Sequence, residues 1–220
     1  MELLSAELSA ETLAALQAHL ATAKLNEDSE VSEDFRLSQF WYDTRTGDAL
    51  ALEALEKSNG GPIAFVSTPA AFKALKAMHP ERSDVYLFEY DPRFEEKYPS
   101  EFVFYDYNTP LAIDSKFEHF FDYVLVDPPY LAKFKRPMRL LQVTSNTLME
   151  FLVLDNFGYD DEMCLLAQML RKDIFHDLGF TPCGFVPTFD SKLSNRFLTY
   201  TNYTSTRFGP CEEDFSDSDE

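Results

Sequence analysis

Two periods of apolar spacing divide the chain. Between 8 and 25, "LSAETLAALQAHLATAKL" sets Leu13, Leu16 and Leu20 on one helical face with Ser9 available as a cap, so a peripheral helix is predicted there. The stretch "FRLSQFWYDTRTGDALALEALEKSNGG" opens on an aromatic cluster and becomes a helix of about a dozen residues, which Gly60 and Gly61 stop. Beyond it the pattern turns to short apolar runs between turn residues. "PIAFVST" predicts a buried strand, and "PAAFKALKAMH" a helix opened by Pro69 in its first turn, where a missing N–H costs nothing. "DVYLFEYD", "EFVFYDYN" and "FDYVLVD" predict three further strands, the last almost continuously apolar, as a strand covered on both faces must be.

This succession predicts an α/β fold: an open, mainly parallel sheet with helices on both sides. "FLVLDNF" reads as a fifth strand, with "RLLQV" as the alternative, and "DDEMCLLAQMLRKDIFHDLGF" as the helix that follows, closed by Gly179. "CGFVPTF" and "FLTYTNY" bracket the turn-rich "DSKLSNR" and predict a C-terminal antiparallel hairpin. The resulting organisation is an N-terminal helix with an acidic linker over 1–34, one domain over 35–208, and an acidic disordered tail over 209–220.

Charge narrows the function. With 19 basic and 38 acidic residues the net charge is −19, which opposes a grip on phosphate backbones or anionic lipid and suits a basic partner. Cys164, Cys183 and Cys211 fit neither a zinc site nor a redox pair, which indicates a reducing compartment. His19, His79, His119 and His176 show no paired spacing, so no metal is expected. No run reaches the length of a membrane span and the N-terminus lacks a basic segment before an apolar one; a cytoplasmic protein is expected. "SDSD" in the tail could accept phosphate or simply keep the tail solvated.

In an open parallel sheet ligands sit beyond the carboxyl ends of the strands, where strand order reverses. Three predicted strands end in carboxylates: Glu89, Asp106 and Asp127. A carboxylate ending the second strand can accept both hydroxyls of a ribose diol, which assigns Glu89 to a nucleoside. "FVSTPAAF" has no glycine, so close backbone approach to a pyrophosphate is not expected; a nucleoside cofactor without phosphate, such as S-adenosylmethionine, makes no such demand. In "VLVDPPYL" the two prolines stiffen the turn and remove two N–H donors, leaving outward carbonyls as acceptors. With the Asp127 carboxylate and the Tyr130 ring they form a socket for a nitrogen that carries hydrogens. Methyl transfer from a sulfonium is an in-line displacement that needs such a nitrogen aimed at the methyl carbon. A lysine amine must first lose a proton, at roughly 4–5 kcal/mol at neutral pH given a reference pKa of about 10.4, and desolvation reduces that cost. The ring of Tyr130 can stabilise a cation on either reactant.

"LSQFWY", "VSTP", "FEYDPRF", "FVFYDYNTPL", "VDPPYL" and "NYT" together resemble the elongation factor 1-alpha lysine methyltransferase 1 family, formerly labelled N6-adenine-specific DNA methyltransferases for the shared Asp-Pro-Pro-Tyr motif. The resemblance covers about 8–131 and 179–204. It implies a Rossmann-like S-adenosylmethionine-dependent fold and methyl transfer to a lysine of translation elongation factor 1-alpha. It places Asp127, Pro128, Pro129 and Tyr130 at the amine, and Glu89 at the ribose. Asp106 and Tyr107 fall near the adenine, with Ser67 and Tyr90 also on the cofactor. Ser38, Gln39 and Phe40 would fold over the cofactor, while Trp41 either joins them or plugs the gap between the N-terminal helices and the sheet. A monomer without nucleic-acid or membrane partners is expected. Two departures stand out: 132–178 does not align with the family, and Asn195, Arg196 and Phe197 carry a base where the family has an acid. Two other readings stay open, an N6-adenine methyltransferase on nucleic acid and a non-catalytic binding protein of the same fold.

Overall fold

In the computed structural model the described residues are 31–37, 39–106, 108–109, 111–127, 145–156, 180–190 and 196–211. The chain divides into two units, Met1–Ser32 and Glu33–Glu220, and the sheet belongs to the second. The predicted helix of 8–25, the segment "RLLQV", the helix predicted over 160–180 up to Gly179, and the acidic tail beyond Cys211 lie outside the described residues.

The fold begins with α1 (Thr44–Lys57), whose first free N–H groups are met by Asp43: Thr46 N donates to its Oδ1 at 2.8 Å. Gly60, at φ +85°, supplies the left-handed turn that ends this segment, as its position predicts. Gly61 is needed for a different reason, because a Cβ there would lie 1.7 Å from Asp122 Oδ2. β1 (Ile63–Val66) is buried at every position. α2 (Pro69–Met78) follows with Pro69 at its start, then β2 (Val85–Glu89), the short α3 (Arg93–Lys97) and β3 (Phe102–Phe104). A 3-10 turn, Ser115–Phe117, leads to β4 (Phe121–Val126), and β5 (Ser145–Asn156), β6 (Thr181–Pro182) and β7 (Arg196–Thr201) complete the sheet.

The strand order is β3-β2-β1-β4-β5-β7-β6. β3, β2, β1, β4 and β5 run parallel, and β7 pairs antiparallel with β5 on one side and β6 on the other. The parallel sheet and the closing antiparallel pair agree with the sequence, but two boundaries move. The fifth strand starts at Ser145 and pairs with Phe121–Val126 well before the apolar "FLVLDNF". The first arm of the hairpin is Thr181–Pro182; of "CGFVPTF", Cys183 N still donates to Thr199 O of β7 at 2.9 Å, and the stretch otherwise makes isolated bridges, Cys183 to Pro210 and Phe189 to Tyr42.

Alternation along the central strands gives the sheet two apolar faces. One packs Ala64, Val66, Phe88, Val124 and Val126 with Phe117, Phe121 and Phe180. On the other, Phe65 meets Phe72 of α2 edge-on at 6.0 Å, and Phe72 in turn meets Tyr98 at 4.9 Å. Burying these rings, at about 25 cal/mol per Å² of apolar surface, holds the strand ends in register and therefore fixes what projects from them. Among the described residues no helix is long and apolar enough to cross a membrane.

Candidate functional site

The order β3-β2-β1-β4 reverses direction between β1 and β4, so the crevice of an open sheet falls beyond Val66 and Val126. Asp127 N donates to Val66 O at 3.0 Å and carries the pairing one residue past the end of β4. After β1 the chain turns sharply: Ser67 takes φ +55°, a left-handed value usual for glycine, with its N–H on Phe88 O at 2.9 Å. The expected absence of a glycine-rich loop thus coincides with a tight turn made by a serine. Beside it the Thr68 hydroxyl is buried and has no hydrogen-bond partner among the described residues, a polar atom that a ligand in this crevice could satisfy.

Glu89 ends β2 and is 7% exposed. Its Oε1 accepts from Tyr90 N at 3.0 Å and Asp91 N at 3.3 Å, so the turn that follows orients the carboxylate. No described residue bonds its Oε2. Burial pushes this carboxyl up to about 7; the two N–H donors pull it down, and neighbouring Asp91 pushes it up. Asp91 itself is buried and belongs to another set of bonds: Arg93 Nη2 reaches its Oδ2 at 2.6 Å and Gln39 Nε2 donates to the same oxygen at 3.0 Å. Burial disfavours its charge, but the donors from Arg93 and Gln39 outweigh it and hold its carboxyl below the ordinary value.

Asp127 is partly exposed, and its Oδ2 accepts a short hydrogen bond from the Tyr42 hydroxyl. Desolvation raises its carboxyl to about 7, the Tyr42 donor opposes this, and the Glu89 charge adds to it. The charge of Glu89 acts on Asp127, and among the described residues no cation bonds either carboxylate, so the electrostatics of the crevice favour a positively charged ligand. Among the described residues no group of three or more His, Cys, Asp or Glu is arranged to hold a metal.

The other predicted positions divide by what they touch. Gln39 is buried, its Oε1 accepting from Asp34 N at 2.8 Å while its amide reaches Asp91. Phe40 is exposed and Ser67 half-exposed. Tyr90 is 51% exposed and tilts against the equally open Phe104, ring centroids 5.5 Å apart, at the outer end of β2 and β3. Asp106 turns back on its own loop, accepting from Asn108 N at 2.8 Å. Trp41 packs against Phe94 at 6.0 Å with the Lys73 ammonium 4.8 Å from its ring centre. Ser38, Tyr107, Pro128, Pro129 and Tyr130 lie outside the described residues. Sequence reasoning did not single out Tyr42, Asp91 or Arg93. The adjacent motifs "FWY" and "EYDPR" held the signal, but only folding brings Tyr42 to Asp127.

These residues fit S-adenosylmethionine. A buried carboxylate with one unbonded oxygen suits a ribose diol. The glycine-free turn after β1 does not offer the close backbone approach that a pyrophosphate needs.

A family model described as "Probable N6-adenine methyltransferase" matches residues 33–205. The chain is 37% identical over 210 residues to EEF1A lysine methyltransferase 1 of Mus musculus, covering 90% of this chain and 92% of that one. It is 31% identical to the protein-lysine N-methyltransferase M142.8 of Caenorhabditis elegans, covering 92% and 96%. Among solved structures, a branched-chain polyamine synthase variant from Thermus thermophilus, in complex with N4-aminopropylspermidine and 5'-methylthioadenosine, superposes with a TM-score of 0.54 at 15% identity, over 90% of this chain and 66% of that one. That likeness concerns the fold.

Proposed function

Since the chain belongs to the EEF1A lysine methyltransferase 1 family, we propose that it methylates a lysine of translation elongation factor 1-alpha. It is an S-adenosylmethionine-dependent protein-lysine N-methyltransferase of Rossmann-like fold. The observation that carries the choice of reacting group is the carboxylate of Asp127. It stands at the reversal of strand order, within reach of the Glu89 charge, in a crevice that favours positive charge.

In the proposed division of labour Glu89 accepts the ribose hydroxyls, with Tyr90, Ser67, Asp106, Tyr107 and the segment Ser38, Gln39 and Phe40 around the rest of the cofactor. Asp127 receives the substrate amine, together with Pro128, Pro129 and Tyr130. S-adenosylmethionine supplies the electrophilic methyl group. The carboxylate of Asp127 attracts the lysine ammonium into the crevice and, once the amine has lost a proton to solvent, accepts one of its remaining N–H bonds. This holds the lone pair on one line. Residues 35–208 act as the enzyme domain, preceded by an N-terminal helix and acidic linker over 1–34 and followed by a solvating tail over 209–220. The enzyme works as a cytoplasmic monomer.

The net charge of −19 supports a basic protein substrate over nucleic acid, whose phosphates a base-flipping enzyme must grip. The test is incubation with methyl-labelled S-adenosylmethionine and, in separate tubes, purified elongation factor and duplex DNA. Label on a lysine of the factor is expected. Label on adenine, with none on the factor, would replace this reading by the one in the family description.

A further inference from the structure

Tyr42, two residues before α1, reaches further into the crevice than its place in the chain suggests. Tyr42 is buried, and the Asp127 carboxylate that its hydroxyl meets lies 85 positions away. Its backbone is held from both sides. Tyr42 bridges Phe189, Asp43 N donates to Thr188 O at 3.0 Å, and Asp190 N donates to Trp41 O at 3.2 Å. Its ring rests on Phe189 at 5.0 Å, and Phe189 on Phe197 of β7 at 4.5 Å. Directly after it Asp43 caps α1. A tyrosine fixed so closely has little rotational freedom left to lose, so its hydroxyl is a donor set in place before any ligand arrives.

Asp127 needs such a donor. Its backbone is tied to Val66, but the side chain of a residue just past a strand end can still rotate about χ1 and χ2. With Oδ2 occupied by Tyr42, Oδ1 has no partner among the described residues and is the oxygen left for a substrate nitrogen. We propose that Tyr42 is a positioning residue for the methyl-transfer site, locking the Asp127 carboxylate so that its second oxygen receives the substrate amine.

This rests on the assignment of Asp127 to the amine, yet its first test does not require turnover. The described groups that act on the charge of Asp127 are the Tyr42 hydroxyl and the Glu89 carboxylate. In protein labelled with 13C at the aspartate carboxyls and at tyrosine Cζ, the Asp127 carboxyl is assigned through Asp127→Asn and the Tyr42 Cζ through Tyr42→Phe. In the wild-type chain both resonances should move with one shared midpoint. In Asp127→Asn the Tyr42 transition should vanish. Removing the hydroxyl alone with Tyr42→Phe, which keeps the ring on Phe189, should raise the Asp127 midpoint by about one pH unit, because the donor that favours the carboxylate is gone. A Tyr42 resonance that stays flat while Asp127 titrates in the wild-type protein overturns the proposal. So does a Tyr42→Phe chain with an unchanged Asp127 midpoint. In turnover, the acid limb of kcat/KM for the elongation factor should shift upward in Tyr42→Phe while cofactor affinity stays within about twofold. If the wild-type enzyme transfers nothing to the factor, the substrate assignment fails and the resonances still decide the role of Tyr42.

Discussion

Glu89 ends β2 and Asp127 follows the end of β4, on either side of β1, and both have carboxyls pushed up to about 7, yet they are held in opposite ways. Glu89 is oriented by its own turn, through the N–H groups of the next two residues. Asp127 is oriented by a side chain from the other end of the domain. A carboxylate fixed by local backbone keeps its aim whatever the distant parts of the chain do, which suits a group that binds a cofactor. One fixed through a tertiary contact depends on the closure of the N-terminal segment over the sheet, which suits a group that must act only in the assembled site.

Substitutions can break this contrast. The largest effect is expected from Asp127→Asn. It keeps the shape but loses the charge that aims the amine, so kcat for the elongation factor should fall by about 10³-fold in a single-turnover assay. A fall of less than tenfold would remove Asp127 from the chemistry. A smaller effect concerns stability. The folded chain holds a proton on Glu89 that the unfolded chain, with an ordinary value of 4.5, releases between about pH 4.5 and 7. This carboxyl therefore favours the fold fully below about pH 4.5, and that contribution is lost as pH rises through about 7. Glu89→Gln, which never ionises, should be more stable than the wild-type cofactor-free protein by ~2–4 kcal/mol at pH 8. The gain should disappear near pH 4 in thermal melts at the two pH values. An equal gain at both would mean that packing rather than charge is responsible.

What the sequence made legible follows the same division between local and distant. β1, β2 and β4 were readable because strands covered on both faces must be continuously apolar, and α2 because Pro69 marks its first turn. Glu89 could be placed for the same reason, since its role follows from the strand it ends. β3 is shorter than "EFVFYDYN" suggests: it pairs only with β2, and Tyr105 N already bonds Glu89 O where that partner ends. The start of β5 was missed because backbone pairing with β4 needs no apolar side chain at Ser145. "CGFVPTF" contains the alternation of a hairpin arm, but Phe189 bridges to Tyr42 instead, a pairing set by tertiary contact. The same contact hid the Tyr42 to Asp127 bond. Nothing in the spacing of two residues 85 apart announces that they meet.

The division of roles between the two carboxylates is tested most directly by titrating S-adenosylmethionine calorimetrically into Glu89→Gln and Asp127→Asn at pH 8. Hydrogen bonds to a charged acceptor contribute about 1.5–3 kcal/mol each, so Glu89→Gln should bind ~10–100-fold more weakly than wild type, while Asp127→Asn stays within about threefold. Equal losses in the two variants, or a Glu89→Gln protein that binds like the wild type, would contradict the account.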